Sequence, residues 1–212
     1  MTRTTNARLA GAMLLLFFAA GIVEMALYGR AISGEGMAAK LASAAEHAQL
    51  IRIVGVLSLF MTVAVFVLAV TLYALTREYD RDLSLLALLC FAAQGVIGAM
   101  NAVPKLALVP IATSDNAAVA NVLGSVLLNV RHLGIRGVLL FAVGSALYSW
   151  LFLRARAIAV PLAWLGVLAS TLLIVVLPLQ LVGIMEWAWF IWIPMAVFEV
   201  TLALWLLIKG VA

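Results

Sequence analysis

Two carboxylates lie inside stretches that otherwise suit hydrocarbon. Glu199 is central in the apolar run from residue 187 to 208, ten residues before Lys209, and Glu24 lies one turn before Tyr28 in the first apolar stretch. An ionisable group at the middle of a bilayer costs roughly 2.5 kcal/mol or more and marks a functional site by default. It must meet a cation or hold a proton. Arg52 and Arg136 are the cations expected to meet Glu24. Around these charges the sequence lays two polar stripes. Gln94, Asn101 and Lys105 fall at offsets of 0, 7 and 11, within about 40° of one another at 100° per residue. Asn121, Ser125, Asn129, His132 and Arg136 follow at spacings of four, four, three and four, inside roughly an 80° sector. Such stripes face each other more cheaply than either faces lipid. With Glu24, Arg52 and Glu199 they outline an outward-facing polar pocket.

The same residues have plainer uses. Arg52, Lys105, Arg131 and Arg136 are within snorkelling reach of an interface. Gln94 and Asn101 suit hydrogen bonds between helices, and Glu199 suits a protonated or paired acid that ties helices together. Trp187, Trp189 and Trp192 read as an interfacial aromatic belt. His47 and His132 are the two histidines, and with Glu46 they match no metal-ligand spacing. There is no GxSxG, P-loop, GxGxxG or thiol-nucleophile arrangement. No metal, cofactor or catalytic residue is assigned.

The elements that must position these residues are membrane helices. The chain is 67% hydrophobic and 10% charged over 212 residues, outside the range of soluble globular domains. Six stretches are long enough to cross a hydrocarbon core of roughly 30 Å: about Leu9 to Tyr28, Leu50 to Leu75, Leu83 to Val103, Leu133 to Leu153, Val160 to Val182 and Ala188 to Ile208. The prediction is an all-α polytopic membrane protein, one domain over residues 1–212 with a bundle of six transmembrane helices. Arg3 and Arg8 before an apolar run could also open a cleaved signal peptide. The run's length, Glu24 within it and the lack of a small-x-small site favour retention.

Arg3, Arg8, Arg77, Arg81, Arg154, Arg156 and Lys209 fall on one side of the alternating spans, against Arg30, Lys40 and Lys105 on the other. The positive-inside rule then predicts both termini in the cytoplasm of a bacterial inner membrane. A net charge of +4 spread over helix ends suits lipid headgroups. It does not form the basic stripe of a nucleic-acid binder. Cys90 is the single cysteine, which excludes an intramolecular disulfide or a CxxC pair.

Between spans, residues 29–49 suit a short surface helix. Residues 117–153 carry helical periodicity that, if continuous, would form a rod of about 55 Å, which must project, bend or lie in the interface. Pro104 and Pro110 should end the third span. Pro161 suits a first helical turn, Pro178 lies near the outer end of the fifth span, and Pro194 predicts a kink inside the sixth.

Several blocks carry a family resemblance: EHAQLIRIVGVL at 46–57, TLYAL at 71–75, RHLGIRGVLLFAVGSALYSWLFLR at 131–154, AVPLAWLGVLA at 159–169 and FEVTLALWLLIKG at 198–210. The chain resembles the bacterial membrane-protein family catalogued as domain of unknown function 4386. The resemblance places Glu199, Arg52 and His132 at the family's polar positions. It departs where Gln94 replaces an acid and where Val143 and Gly144 lack a histidine, which weighs against a metal or proton-relay role. It implies an architecture and no activity.

The function expected is binding, or transport, of a small polar or amphipathic ligand in the pocket, with Glu199 and Arg52 fixing charge and Gln94, Asn101 and His132 as walls. One alternative is a membrane-embedded enzyme acting on a lipid-like substrate through Glu199 or Glu24 with His132. The other is an accessory subunit whose small residues Gly55, Ser58 and Thr62 form a seam for an unknown protein partner. The expected partners are the lipid bilayer and a small-molecule ligand or lipid, without nucleic acid.

Overall fold

Each long apolar run folds as a helix, because inside a bilayer every backbone N–H and C=O must find its partner within the segment. The computed structural model describes residues 2–129, 132–186 and 188–211, with the side chains of residues 129, 132–136 and 189 left aside. In chain order the helices are α1 (Arg3–Ala31), α2 (Gly36–Glu46), α3 (Ala48–Thr76), α4 (Arg81–Met100), α5 (Ala102–Ala112), α6 (Ala117–Asn129), α7 (His132–Ala155), α8 (Val160–Leu181) and α9 (Ile193–Ile208). Among the described residues, six helical stretches are long and apolar enough to cross a membrane: α1, α3, α4 running on into α5, most of α7, α8, and α9 with the 3-10 turn Trp189–Trp192 before it. The protein is an all-α, multi-pass membrane protein.

Helix starts follow local chemistry. Thr2 caps α1 by accepting from the Thr5 N–H, and Asp80 caps α4 by accepting from Leu83. Each satisfies a donor that the first turn leaves unpaired.

The six spans form a closed ring. α1 packs on α3, α3 on α4, α4 on α7, α7 on α8, α8 on α9, and α9 back on α1. Every span contributes to the centre, with Leu14, Leu68, Phe91, Phe152, Leu173 and Phe198 all buried there. The closing seam depends on Gly11, where a Cβ would lie 2.6 Å from the Ala203 carbonyl oxygen. Gly210 lies against Ala7, so both ends of the chain meet at one end of the ring. At the opposite end α2 and α6 join the α5 part of the third span in a cap, with a small core that includes Leu41, Ala44, Leu108 and Ala120.

Two expectations about helix limits change. The third span does not stop at its prolines: α4 pauses at Asn101, whose own backbone stays helical, and α5 resumes with Pro104 in its first turn. A first turn tolerates a residue without an N–H. Pro194 likewise lies in the first turn of α9, after the 3-10 turn, and so starts that helix where a kink was expected. Within residues 117–153, α6 packs on α5 and α2 but α7 on α4 and α8. Residues 130 and 131, on which the continuity of that stretch turns, lie outside the described residues. So does Trp187, with the Trp189 side chain, leaving Trp192 as the described member of the expected aromatic belt.

Candidate functional site

Toward the capped end, α1, α3, α4 and α5 surround a partly open cavity of about 140 Å³. Its charge comes from Glu24 on α1. The buried Ser58 hydroxyl of α3 donates to Glu24 Oε1 at 2.7 Å, and the Lys105 ammonium of α5 donates to the same oxygen in an ion pair. Lys105 also lies 5.5 Å from the centre of the Tyr28 ring. A cation over an aromatic face is stabilised by the ring quadrupole.

Local packing explains how Lys105 reaches this acid. Gly55 of α3 is buried, and a Cβ there would lie 2.5 Å from Leu106 Cδ2. The missing side chain lets α5 lie against α3, one residue from Lys105. Thr62, one turn past Ser58, returns its hydroxyl to the Ser58 carbonyl at 3.0 Å.

The remaining wall is α4, with Gln94, Gly95, Gly98 and the Asn101 pause. Gln94 Oε1 is buried and has no hydrogen-bond partner among the described residues. A buried acceptor left unmade costs on the order of 1–3 kcal/mol, and Gln94 faces a cavity large enough for something to satisfy it. At Gly98 an added Cβ would meet nothing within 4 Å, so the cavity extends to the helix surface there.

Glu199 lies elsewhere. It lines a void of about 20 Å³ at the centre of the ring, among Leu14, Leu72, Phe91, Phe141, Tyr148 and Phe198. Among the described residues it has neither an ion pair nor a hydrogen bond. Ser149 lines the same void, and its hydroxyl is buried without a partner. The packing is tight on the α8 side, where a Cβ on Gly166 would lie 2.4 Å from both Phe198 Cε2 and Ser149 Oγ.

Of the residues singled out from the sequence, the structure brings Glu24, Gln94 and Asn101 to one cavity. It does not bring Glu199 or Arg52 there. Arg52 is exposed in a groove between α1 and α3, and among the described residues the cation on Glu24 is Lys105, where Arg52 was expected. The side chains of His132 and Arg136 lie outside the described residues. Sequence reasoning placed Lys105 on the Gln94–Asn101 stripe without making it a site residue, and that stripe was the signal that could have done so. Ser58 gave no signal beyond being a small residue on an apolar helix.

His47 has a local use: its Nδ1 lies 3.0 Å from the Ser43 carbonyl oxygen at the end of α2. Among the described residues no three His, Cys, Asp or Glu side chains converge as metal ligands would.

No curated protein and no solved structure matches this chain. A family model described as a domain of unknown function, DUF4386, matches residues 9–210. That stretch runs from the first span through the cavity-forming helices to the Lys209–Gly210 ending, and the chain belongs to the DUF4386 family.

Proposed function

We propose that this protein binds a small, net-neutral polar solute in the Glu24–Lys105 cavity, as the holding step of moving that solute across or within the membrane. The observation that carries the reading is the buried Gln94 oxygen, unpartnered among the described residues, in a cavity beside an ion pair. Three features support the solute class. The charges of Glu24 and Lys105 cancel, so a net-charged ligand would enter uncompensated. Gln94 Oε1 calls for a donor, and the Lys105 ammonium has donors beyond the one given to Glu24. An apolar cavity of similar volume, ~150 Å³, takes a benzene-sized guest, which sets the scale at roughly six heavy atoms.

The reading favours a solute site over a docking seam because Gly55 and Ser58 are engaged within the chain, one against Leu106 and the other on Glu24. We place the protein in a bacterial inner membrane with both termini cytoplasmic. The support is the gathering of Arg3, Arg77, Arg81, Arg154 and Lys209 at the end of the ring where the termini meet.

The test is thermal unfolding of the purified full chain against a panel of small amides, polyols and zwitterions. A binder should raise the unfolding temperature in a concentration-dependent way. Gly98→Leu fills the cavity from an open position, and the shift should disappear in it while the fold is kept. A shift of equal size in Gly98→Leu would place the binding elsewhere, and a panel without any shift would remove the reading.

A further inference from the structure

Pairing Lys105 with Glu24 leaves Arg52 over. Among the described residues Arg52 has no ion pair and no hydrogen bond, and Glu35 and Glu46, acids of the same end of the molecule, do not reach it. Its surroundings are not aqueous. Arg52 stands at the head of a groove of about 510 Å³ between α1 and α3, whose floor and walls are apolar: Val23 and Leu27 on α1, and Ile53, Val56 and Phe60 on α3. Val56 is 69% exposed and Phe60 49%, on the outside of the ring where lipid must lie. From Arg52 to Phe60 the groove follows α3 for about 12 Å.

We infer that this groove holds one acyl chain of an anionic glycerophospholipid from the leaflet at the capped end, with the lipid phosphate on the Arg52 guanidinium. Charge complementarity selects the occupant. A guanidinium presents paired donors that match two phosphate oxygens, and it is weakly hydrated enough to serve at an interface. Gln49 lines the groove one turn before Arg52, so its amide can donate to the same headgroup. An anionic headgroup is preferred to a zwitterionic one because the latter brings its own cation to compete for the phosphate. This site is separate from the Glu24–Lys105 cavity and does not depend on it.

Native mass spectrometry of the purified full chain, titrated with phosphatidylglycerol and with phosphatidylcholine of the same acyl chains, tests the inference. The first phosphatidylglycerol should bind about fivefold tighter than phosphatidylcholine, the factor one basic side chain supplies near an anionic lipid. Arg52→Ala should remove that preference. Val56→Trp obstructs the groove from an exposed position without changing charge, and it should lose the bound lipid of either class. Equal affinity for the two lipids in the unaltered chain overturns the inference. So does a preference that survives in Arg52→Ala, or lipid retention in Val56→Trp equal to that of the unaltered chain. Thermal unfolding of each variant confirms that a loss of lipid is read from a folded protein.

Discussion

Glu24 is met by an ammonium and a hydroxyl, whereas Glu199 is met by leucines, aromatic rings and two serines, Ser145 and Ser149, that share no bond with it. Both acids are partly buried, yet their neighbourhoods differ as a polar crevice differs from a packed core. The Glu24 region has open space at Gly98 and an unsatisfied amide oxygen. The Glu199 region has a void of about one water and a glycine, Gly166, that cannot accept a Cβ without displacing Phe198. Acidic side chains are thus accommodated in two ways here, by pairing beside a cavity and by enclosure among apolar groups.

The same substitution at the two acids separates these cases. Glu24→Gln leaves the Lys105 ammonium without its counter-charge and should cost about 3 kcal/mol, near the lower end for breaking a buried pair because both side chains keep some exposure. Denaturation in mixed micelles measures it, and adding Lys105→Gln should recover at least half of the loss. If the double variant is as unstable as the sum of the single ones, the pair is not a unit. The next largest effect is expected at Gly166→Ala, about 1–3 kcal/mol from overpacking.

Glu199→Gln comes third, at less than about 1 kcal/mol, since among the described residues no cation is left behind when the carboxyl is replaced. A loss there as large as at Glu24 would mean that Glu199 has a strong partner and would collapse the distinction. The smallest effect belongs to Gly98→Ala, neutral or stabilising by up to about 1 kcal/mol from helix propensity alone. The two glycine variants together measure how open one region is against how full the other is.

The spans were legible because twenty consecutive apolar residues have one economical structure in lipid, and most of their ends moved by only a few residues, the far end of the third span by nine. Pro104 and Pro194 were misread for a common reason. A proline is compatible with a first turn as well as with a kink or a stop, and which one applies depends on where the helix begins. The site was legible within a helix and less so between helices. The offsets of Gln94, Asn101 and Lys105 put them on one face, and they do share one cavity. Arg52 and Ser58 are six residues apart on α3, about 120° around the helix, so one meets Glu24 and the other meets lipid. That angle was available from spacing, but the rotation of α3 within the ring was not. It depends on contacts such as Leu106 on Gly55, between residues far apart in the chain.

The seam between α1 and α9 has a consequence for how the protein is made. Gly11 and Ala203 come into contact although about 190 residues separate them. At ribosomal speeds of roughly 5–20 residues per second, the first helix waits in the bilayer for on the order of ten seconds or more before its neighbour is synthesised. During that interval its glycine notch is a vacant berth open to lipid, to chaperones and to helices of other nascent chains. Closure of the ring therefore waits for α9, the helix that makes the barrel of helices whole.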